Sequence, residues 1–342
     1  MIWRGGTSFG GPGLPLVARA AEIVLPYSHP AFNPHPQIPV RKVLRYLGYT
    51  LGALAALLLV AIGVVYAMSE RIIARTYEAP AERVVVPTDS ASIAEGERLA
   101  RVRGCPGCHG DRLQGNVFFD EPGVARLTAG NLTRAARRYS DAELARIIRH
   151  GVRPDGSSVF GMPSVAFYHL TDEDLGRIIA WVRSMPEVEG PDSRLEARMM
   201  GRIGLVAGMY KPTAGEVDTV RAMGLEVRDS RGGVRDSSLE TRDPRLAGRY
   251  LALSVCAECH GPDLKGSPMG APGLTVVQGY SLEAFQRFMR TGIAADGTEK
   301  GLMSEVAKAR FVHFNTAEVR ELHGYLSGQS AVTTQPTTSS PD

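Results

Sequence analysis

Cys105-Pro106-Gly107-Cys108-His109 and Cys256-Ala257-Glu258-Cys259-His260 are two copies of one pattern, C-x-x-C-H, and they use all four cysteines of the 342-residue chain. On a helical turn, positions i, i+3 and i+4 share a face, so both sulfurs and the imidazole of each copy can meet one flat ligand. That spacing is the signature of covalent haem attachment, with two thioethers to the porphyrin edge and the following histidine on the iron. Three other uses of paired cysteines compete. A zinc ribbon also pairs C-x-x-C motifs, but the long separation and the histidine after each copy argue against it. A disulfide inside C-x-x-C closes a very small loop and gives the histidine no role. A thioredoxin-like redox motif belongs in a βαβ pattern, which the chain does not display.

The surroundings repeat too. Gly96 and Leu99 precede the first motif, Gly248 and Tyr250 the second. Both motifs run on to Leu113-x-Gly115 or Leu264-x-Gly266, then to Asn131-Leu132-Thr133 or Gly273-Leu274-Thr275. Tyr139-Ser140 and Tyr280-Ser281 each open a helical run that ends at Gly151 or Gly292. A methionine follows each of Asp155-Gly156 and Asp296-Gly297 at the same offset: Met162 and Met303. Thr171-x-x-Asp174 and Asn315-x-x-Glu318 then read as capping boxes. They lead into the apolar stripes Leu175, Ile178, Ile179, Val182 and Val319, Leu322, Leu326. The chain holds two copies of one unit, with about nine extra residues after the first motif.

Each copy resembles a class I c-type cytochrome, over roughly residues 90–185 and 243–328. That resemblance implies an all-α fold: a haem motif at the end of the first helix of each unit, a C-terminal helix across it, and a loop methionine on the opposite haem face. The expected architecture is two class I cytochrome c domains in tandem after one transmembrane helix. As an anchored tandem cytochrome, the chain is similar to the cytochrome subunits of quinone-reducing alcohol dehydrogenases, which usually carry three haem motifs, and to the dihaem subunits of haem–copper oxidases. Two covalently bound haem c groups are implied, held by Cys105, Cys108 and His109 and by Cys256, Cys259 and His260. Met162 and Met303 are the expected sixth iron ligands, and a thioether there favours ferrous iron. Met162 sits in Gly-Met-Pro, whereas Met303 lacks the proline; Met289, in the preceding helical run, reads as core. His29, His35, His150, His169, His313 and His323 read as polar helix-end residues or neighbours of haem propionates. Asn131, Tyr139, Tyr280, Trp181 and Tyr325 are divided evenly between haem edge and plain core.

Between Arg45 and Glu70 the chain carries no charge, from Tyr46 to Ser69. At 1.5 Å per residue this run spans the ~30 Å bilayer core with some tilt. A retained single-pass anchor over 44–69 is expected, and Val65-Tyr66-Ala67 leaves a cleaved leader as the alternative. Arg41, Lys42 and Arg45 bias the N-terminus to the cytoplasm, which places the haem domains on the periplasmic face of a bacterial cytoplasmic membrane. The expected division is 1–40 as a disordered or spurious extension, 85–186 as the first cytochrome domain, 187–242 as a connecting segment, 243–328 as the second domain, and 329–342 as a disordered tail. Within the connector, a short helix near Leu195–Val206 carries Met199 and Met200, and these with Met209 read as packing residues. Arg228–Arg242 reads as a loop.

Composition excludes other classes. Hydrophobic residues at 44% and charged residues at 22% exclude wholesale disorder. A net charge of +3 with no basic stripe argues against nucleic acid. No acid, base or nucleophile constellation flanks the motifs. The sequence points to a single-electron carrier between a membrane or periplasmic donor and an acceptor, either free-standing or docked to a dehydrogenase or terminal oxidase. A dihaem peroxidase is the less favoured reading, because it needs an open iron position.

Overall fold

The computed structural model describes residues 39–224, 244–267 and 270–328. The expected disordered ends and the Arg228–Arg242 loop fall outside the described residues, apart from the last two residues of the N-terminal stretch. Helix α1 (Val40–Ile73) runs 34 residues without a break, longer than the uncharged run that predicts it. It is long and apolar enough to cross a membrane, and its leucines point outward. The chain from Leu58 onward gathers into one compact unit.

In the first repeat, Asp89 caps α2 (Ser90–Val102) by accepting the Ser92 N–H at 2.8 Å. The haem motif forms its own short helix, α3 (Cys105–His109). Next come strands β1 (Asn116–Glu121) and β2 (Ala125–Ala129), then α4 (Leu132–Arg138), α5 (Asp141–His150), α6 (Ser164–Phe167) and α7 (Asp172–Ser184). The connector supplies β3 (Arg194–Ala197), α8 (Met199–Val206) and α9 (Thr213–Ala222). The second repeat begins with α10 (Pro244–Leu251), which widens into a π-helical stretch over Ala252–Cys256 before α11 (Ala257–His260). A 3-10 turn at Leu274–Gly279, α12 (Leu282–Thr291), α13 (Leu302–Ala309), a second 3-10 turn at Phe311–His313 and α14 (Thr316–Gly328) complete it.

The chain is mostly helical, as expected, but it is not all-α. The extra residues of the first repeat fold as the hairpin β1–β2, and β3 from the connector adds to its edge, giving an antiparallel sheet in the order β1-β2-β3. The described part of the connector, residues 187–224, is therefore built structure, because Arg194–Ala197 completes hydrogen bonding that the hairpin edge would leave open.

The caps lie at their expected positions, although the Thr171–Asp174 box is one-sided. Thr171 accepts from the Asp174 N–H, Asn315 and Glu318 form a reciprocal box, and Ser140 and Glu143 form another. The two stripes are buried, with Leu175, Ile179, Val319, Leu322 and Leu326 at 1% exposure or less. Each stripe packs its helix across the first helix of its repeat, α7 on α2 and α14 on α10. The crossings are close: a Cβ on Gly96 would overlap the Arg177 carbonyl, and one on Gly248 would overlap that of Glu321. Side chains from both repeats share one hydrophobic core.

Gly96→Ala and Gly248→Ala should each destabilise the folded chain by about 1–3 kcal/mol, the usual cost of overpacking a tight contact. Urea unfolding of the detergent-solubilised protein, followed by far-UV circular dichroism, measures this. Gly324→Ala, where an added Cβ inside α14 meets nothing, should instead raise the midpoint slightly, as alanine does in place of a helical glycine.

Candidate haem-attachment sites

The geometry after each motif is duplicated almost bond for bond. Gly110 and Gly261 turn the chain out of the motif helix at φ 80° and 81°. Leu113 and Leu264 then take the left-handed conformation that leucine rarely adopts, at φ 57° and 61°. Both leucines are buried, and their carbonyls accept the Leu132 and Leu274 N–H groups, each at 2.9 Å. This turn brings a backbone carbonyl over each imidazole: His109 Nδ1–H donates to Gly130 O and His260 Nδ1–H to Pro272 O, both at 2.7 Å. A committed Nδ1 donor fixes ring orientation and leaves the Nε2 lone pair suited to a metal. Burial pushes the His109 pKa down, partly offset by the Gly130 carbonyl, so the ring is held neutral.

Cys105, Cys108, His109 and Met162 all line one cavity of about 420 Å³. Its apolar wall includes Leu132, Leu144, Ile148, Phe167, Ile179 and Val182. Arg134, Arg138 and Arg153 stand on its lining, cations suited to haem propionates that inspection of the sequence passes over. The RAARRY run of α4 and its C-cap is the signal that could have found two of them. These residues fit a covalently held haem: two thiols, a neutral oriented imidazole, a thioether and an apolar slot edged with arginine. Burial pushes the Cys105 thiol up to about 11 and the Cys256 thiol up to about 12, as apolar surroundings do.

Met162 lies in a loop just before α6, and the connector clamps that loop. Thr213 Oγ1 donates to Met162 O at 3.3 Å, Thr213 N to Val159 O at 3.2 Å, and Ala214 N to Ser158 Oγ at 3.0 Å. Asp192 and Ser193, also from the connector, line the cavity. Met303 differs, since it is the second residue of α13 and its N–H reaches Lys300 O at 3.2 Å. It packs half-buried against the shared core, to which Cys256 and Met289 also belong.

The remaining candidates divide. Asn131 is a helix cap, its Oδ1 accepting from Thr133 and Arg134 while Nδ2 donates to Val188 O, although it also lines the cavity. Tyr139 lines the cavity as well, while Trp181 is core. Tyr280 O accepts from His323 Nε2, and Tyr325 packs against the core. His150 ends α5 with Nε2 at 2.7 Å from Glu82, inside a buried cluster where Arg149 pairs with Glu82 and with Asp172. His169 is buried and pushed down to about 4 by desolvation. The His313 carbonyl accepts from Arg98. His29 and His35 lie outside the described residues.

The two motifs also face one another. Glu258, inside the second motif, lines the first cavity and pairs with Arg310 Nη2 at 2.9 Å, while Arg310 Nε donates to Val102 O at 3.1 Å. Arg103, buried, donates to Tyr250 OH at 3.0 Å and lies 3.5 Å from Asp174, to which the Tyr250 hydroxyl also donates. Arg98 spans to Glu318 through two bonds of 2.8 Å.

Arg103→Ala strips the buried Tyr250 hydroxyl and Asp174 carboxylate of their cation. It should cost about 3 kcal/mol, and Tyr250→Phe about 1 kcal/mol, in urea-unfolding free energy.

Residues 91–182 match the family described as cytochrome C oxidase, cbb3-type, subunit III. The chain is 25% identical over 279 residues to the fructose dehydrogenase cytochrome subunit of Gluconobacter japonicus, an alignment covering 72% of this chain and 54% of that one. It is 28% identical over 191 residues to the cytochrome c subunit of the quinone alcohol dehydrogenase of Gluconacetobacter polyoxogenes, covering 51% and 36%. To the corresponding subunit of Gluconobacter oxydans (strain 621H) it is 24% identical over 287 residues, covering 71% and 56%. The chain thus spans about half the length of these relatives, or less. The likeness is to electron-transfer cytochrome subunits, not to the catalytic subunits of those enzymes.

Proposed function

We propose that this chain is a membrane-anchored dihaem c-type cytochrome that passes single electrons as the docked redox subunit of a dehydrogenase. The observation that carries the reading is the duplicated cradle: a C-x-x-C-H helix, a strained leucine turn, and a carbonyl that orients the ligand imidazole, built twice in one chain. Each unit corresponds to a class I cytochrome domain. When bound, haem supplies the reversible one-electron couple, and the protein supplies its attachment, orientation and electrostatics.

In the first unit, Cys105 and Cys108 would attach the haem, His109 Nε2 and Met162 would hold its iron, and the three arginines would neutralise its propionates. Cys256, Cys259, His260 and Met303 take the corresponding roles in the second. Methionine ligation favours the ferrous state and raises the potential, which suits a carrier that draws electrons from a dehydrogenase. The facing motifs place the two attachment sites on either side of one ion pair, Arg310–Glu258, so one compact unit holds both stations of a relay. The uncharged run of α1 anchors the chain, with the cytochrome units on the periplasmic side. Donor and acceptor are then a dehydrogenase subunit and a membrane-embedded redox partner.

The mass of the mature protein should exceed the polypeptide by two haem groups, and acid–acetone should leave both on the protein. Cys108→Ser and Cys259→Ser should each weaken the attachment of one. Met162→Ala should create carbon monoxide binding to one ferrous haem, absent from the parent; a parent that binds the gas readily at both haems would overturn methionine ligation.

Arg310→Gln should lower both haem midpoint potentials and Glu258→Gln should raise both, because a nearby cation disfavours ferric iron and an anion favours it. The expected size is on the order of 1 kcal/mol per unit charge, the Coulomb energy at about 12 Å and an effective dielectric near 20. Spectroelectrochemical titration of the full chain reads both directions.

A further inference from the structure

Helix α8 is built inside out for a surface helix. Its protein-facing side is two glycines and one leucine: Gly201 rests against the Val124 carbonyl, Gly204 is covered by the Tyr210 ring, and Leu205 is buried. Met200 at 60% exposure and Ile203 at 42% face outward, and the turn after the helix adds Met209 at 73% and Tyr210 at 45%. Met200 and Met209, expected from the sequence as packing residues, are therefore not packed. An amphipathic helix on a soluble protein turns its apolar stripe to the core. A contiguous apolar surface of this kind marks a contact with something apolar.

The position of α8 says what that is. Arg202, the only charged residue between Met199 and Tyr210, is turned away from the patch and grips the end of α1. Its Nη1 donates to Ser69 Oγ at 2.8 Å and pairs with Glu70 at 2.7 Å, and its guanidinium lies 4.3 Å from the Tyr66 ring centroid. Ser69 closes the uncharged run and Glu70 is the first charge after it, so this grip falls where the span reaches the polar boundary. A helix of eight residues is only about 12 Å long. The exposed methionines, isoleucine and tyrosine thus lie within a short helix's length of the membrane surface. Tyr210 and the exposed Lys211 that follows it are the pairing of aromatic ring and snorkelling cation suited to an interface.

We propose that α8 and the turn through Tyr210 insert into the lipid surface beside the span, as an interfacial foot that holds the cytochrome unit against the bilayer. Met200, Ile203 and Met209 enter the acyl boundary, where such elements bury about 5–10 Å, and Lys211 stays at the headgroups. Arg202 couples the foot to α1, so one anchored helix need not act as a free swivel. This rests on the reading of α1 as a membrane span.

The test uses the full haem-loaded chain, alone, in phosphatidylcholine–phosphatidylglycerol nanodiscs, with a nitroxide on a cysteine introduced at one position per variant: Ile203→Cys, Met209→Cys, Leu57→Cys or Val276→Cys. Relaxation by oxygen, which partitions into lipid, is compared with relaxation by a water-soluble nickel chelate. The proposal expects the oxygen-to-nickel ratio at 203 and 209 to exceed that at the exposed Val276 several-fold and to approach that at Leu57. A lipid-like ratio at 57 with water-like ratios at 203 and 209 overturns the foot and leaves the span standing. Shielding from both agents at 203 and 209 means protein covers the patch, and also overturns it. A water-like ratio at 57 overturns the span and the foot together.

Discussion

The crossing of the first and last helix of each repeat is the contact on which the rest depends. Where α7 passes α2, the absence of a side chain at Gly96 lets the Arg177 carbonyl approach the helix backbone; Gly248 does the same for Glu321. Close approach buries the stripes Leu175, Ile178, Ile179, Val182 and Val319, Leu322, Leu326, and it sets where the following C-x-x-C-H helix can sit. The haem motif follows directly on the crossed helix, after a break at Arg103-Gly104 in the first repeat and through the π-helical stretch in the second. Its cysteines and histidine inherit their placement from that crossing, and the leucine turn only finishes the job by bringing a carbonyl to the imidazole.

Helices held this closely leave polar ends that must find partners, and the repeats supply them to one another. Asp174 stands at the position where a capping carboxylate could reach back to its own helix start, yet it is drawn across to Tyr250 and Arg103 of the inter-repeat contact. Arg98 reaches Glu318, and Arg310 the Val102 carbonyl, of the opposite repeat. Burying such charges is tolerable only when every partner is in place. A small slippage of one repeat against the other would therefore unpair several charges at once. The mutual alignment of the two attachment motifs is set by polar matching on top of a shared apolar core.

Much of this was legible along the chain because it is written in local chemistry. Serine, threonine and asparagine caps, a glycine at each helix end, and apolar residues at helical spacing act within a turn or two of themselves. Each of these features lies where the sequence places it. The hairpin β1–β2 was legible only as extra length, since its strand character depends on β3 arriving from 65 residues away. The connector was the hardest to read. Thr213 clamping the Met162 loop, Asp192 and Ser193 lining the cavity, and methionines facing outward on α8 are all relations between distant segments. A methionine carries no mark that says whether it will meet iron, core or lipid.

Residue chemistry and spacing alone give two C-x-x-C-H motifs, a repeated pattern of local signals around them, and an uncharged run long enough to span a bilayer before them. These follow from covalent chemistry and from hydrogen bonds that close within a few residues. Tertiary structure decides which methionine shares a cavity with His109, which arginines edge it, that Glu258 of one motif faces the cavity of the other, and that two glycines and Leu205 rather than Met200 dock α8. Those outcomes depend on the simultaneous burial of surfaces far apart in the chain. No single segment holds the information, because the free energy that selects each arrangement belongs to the pair and not to either partner.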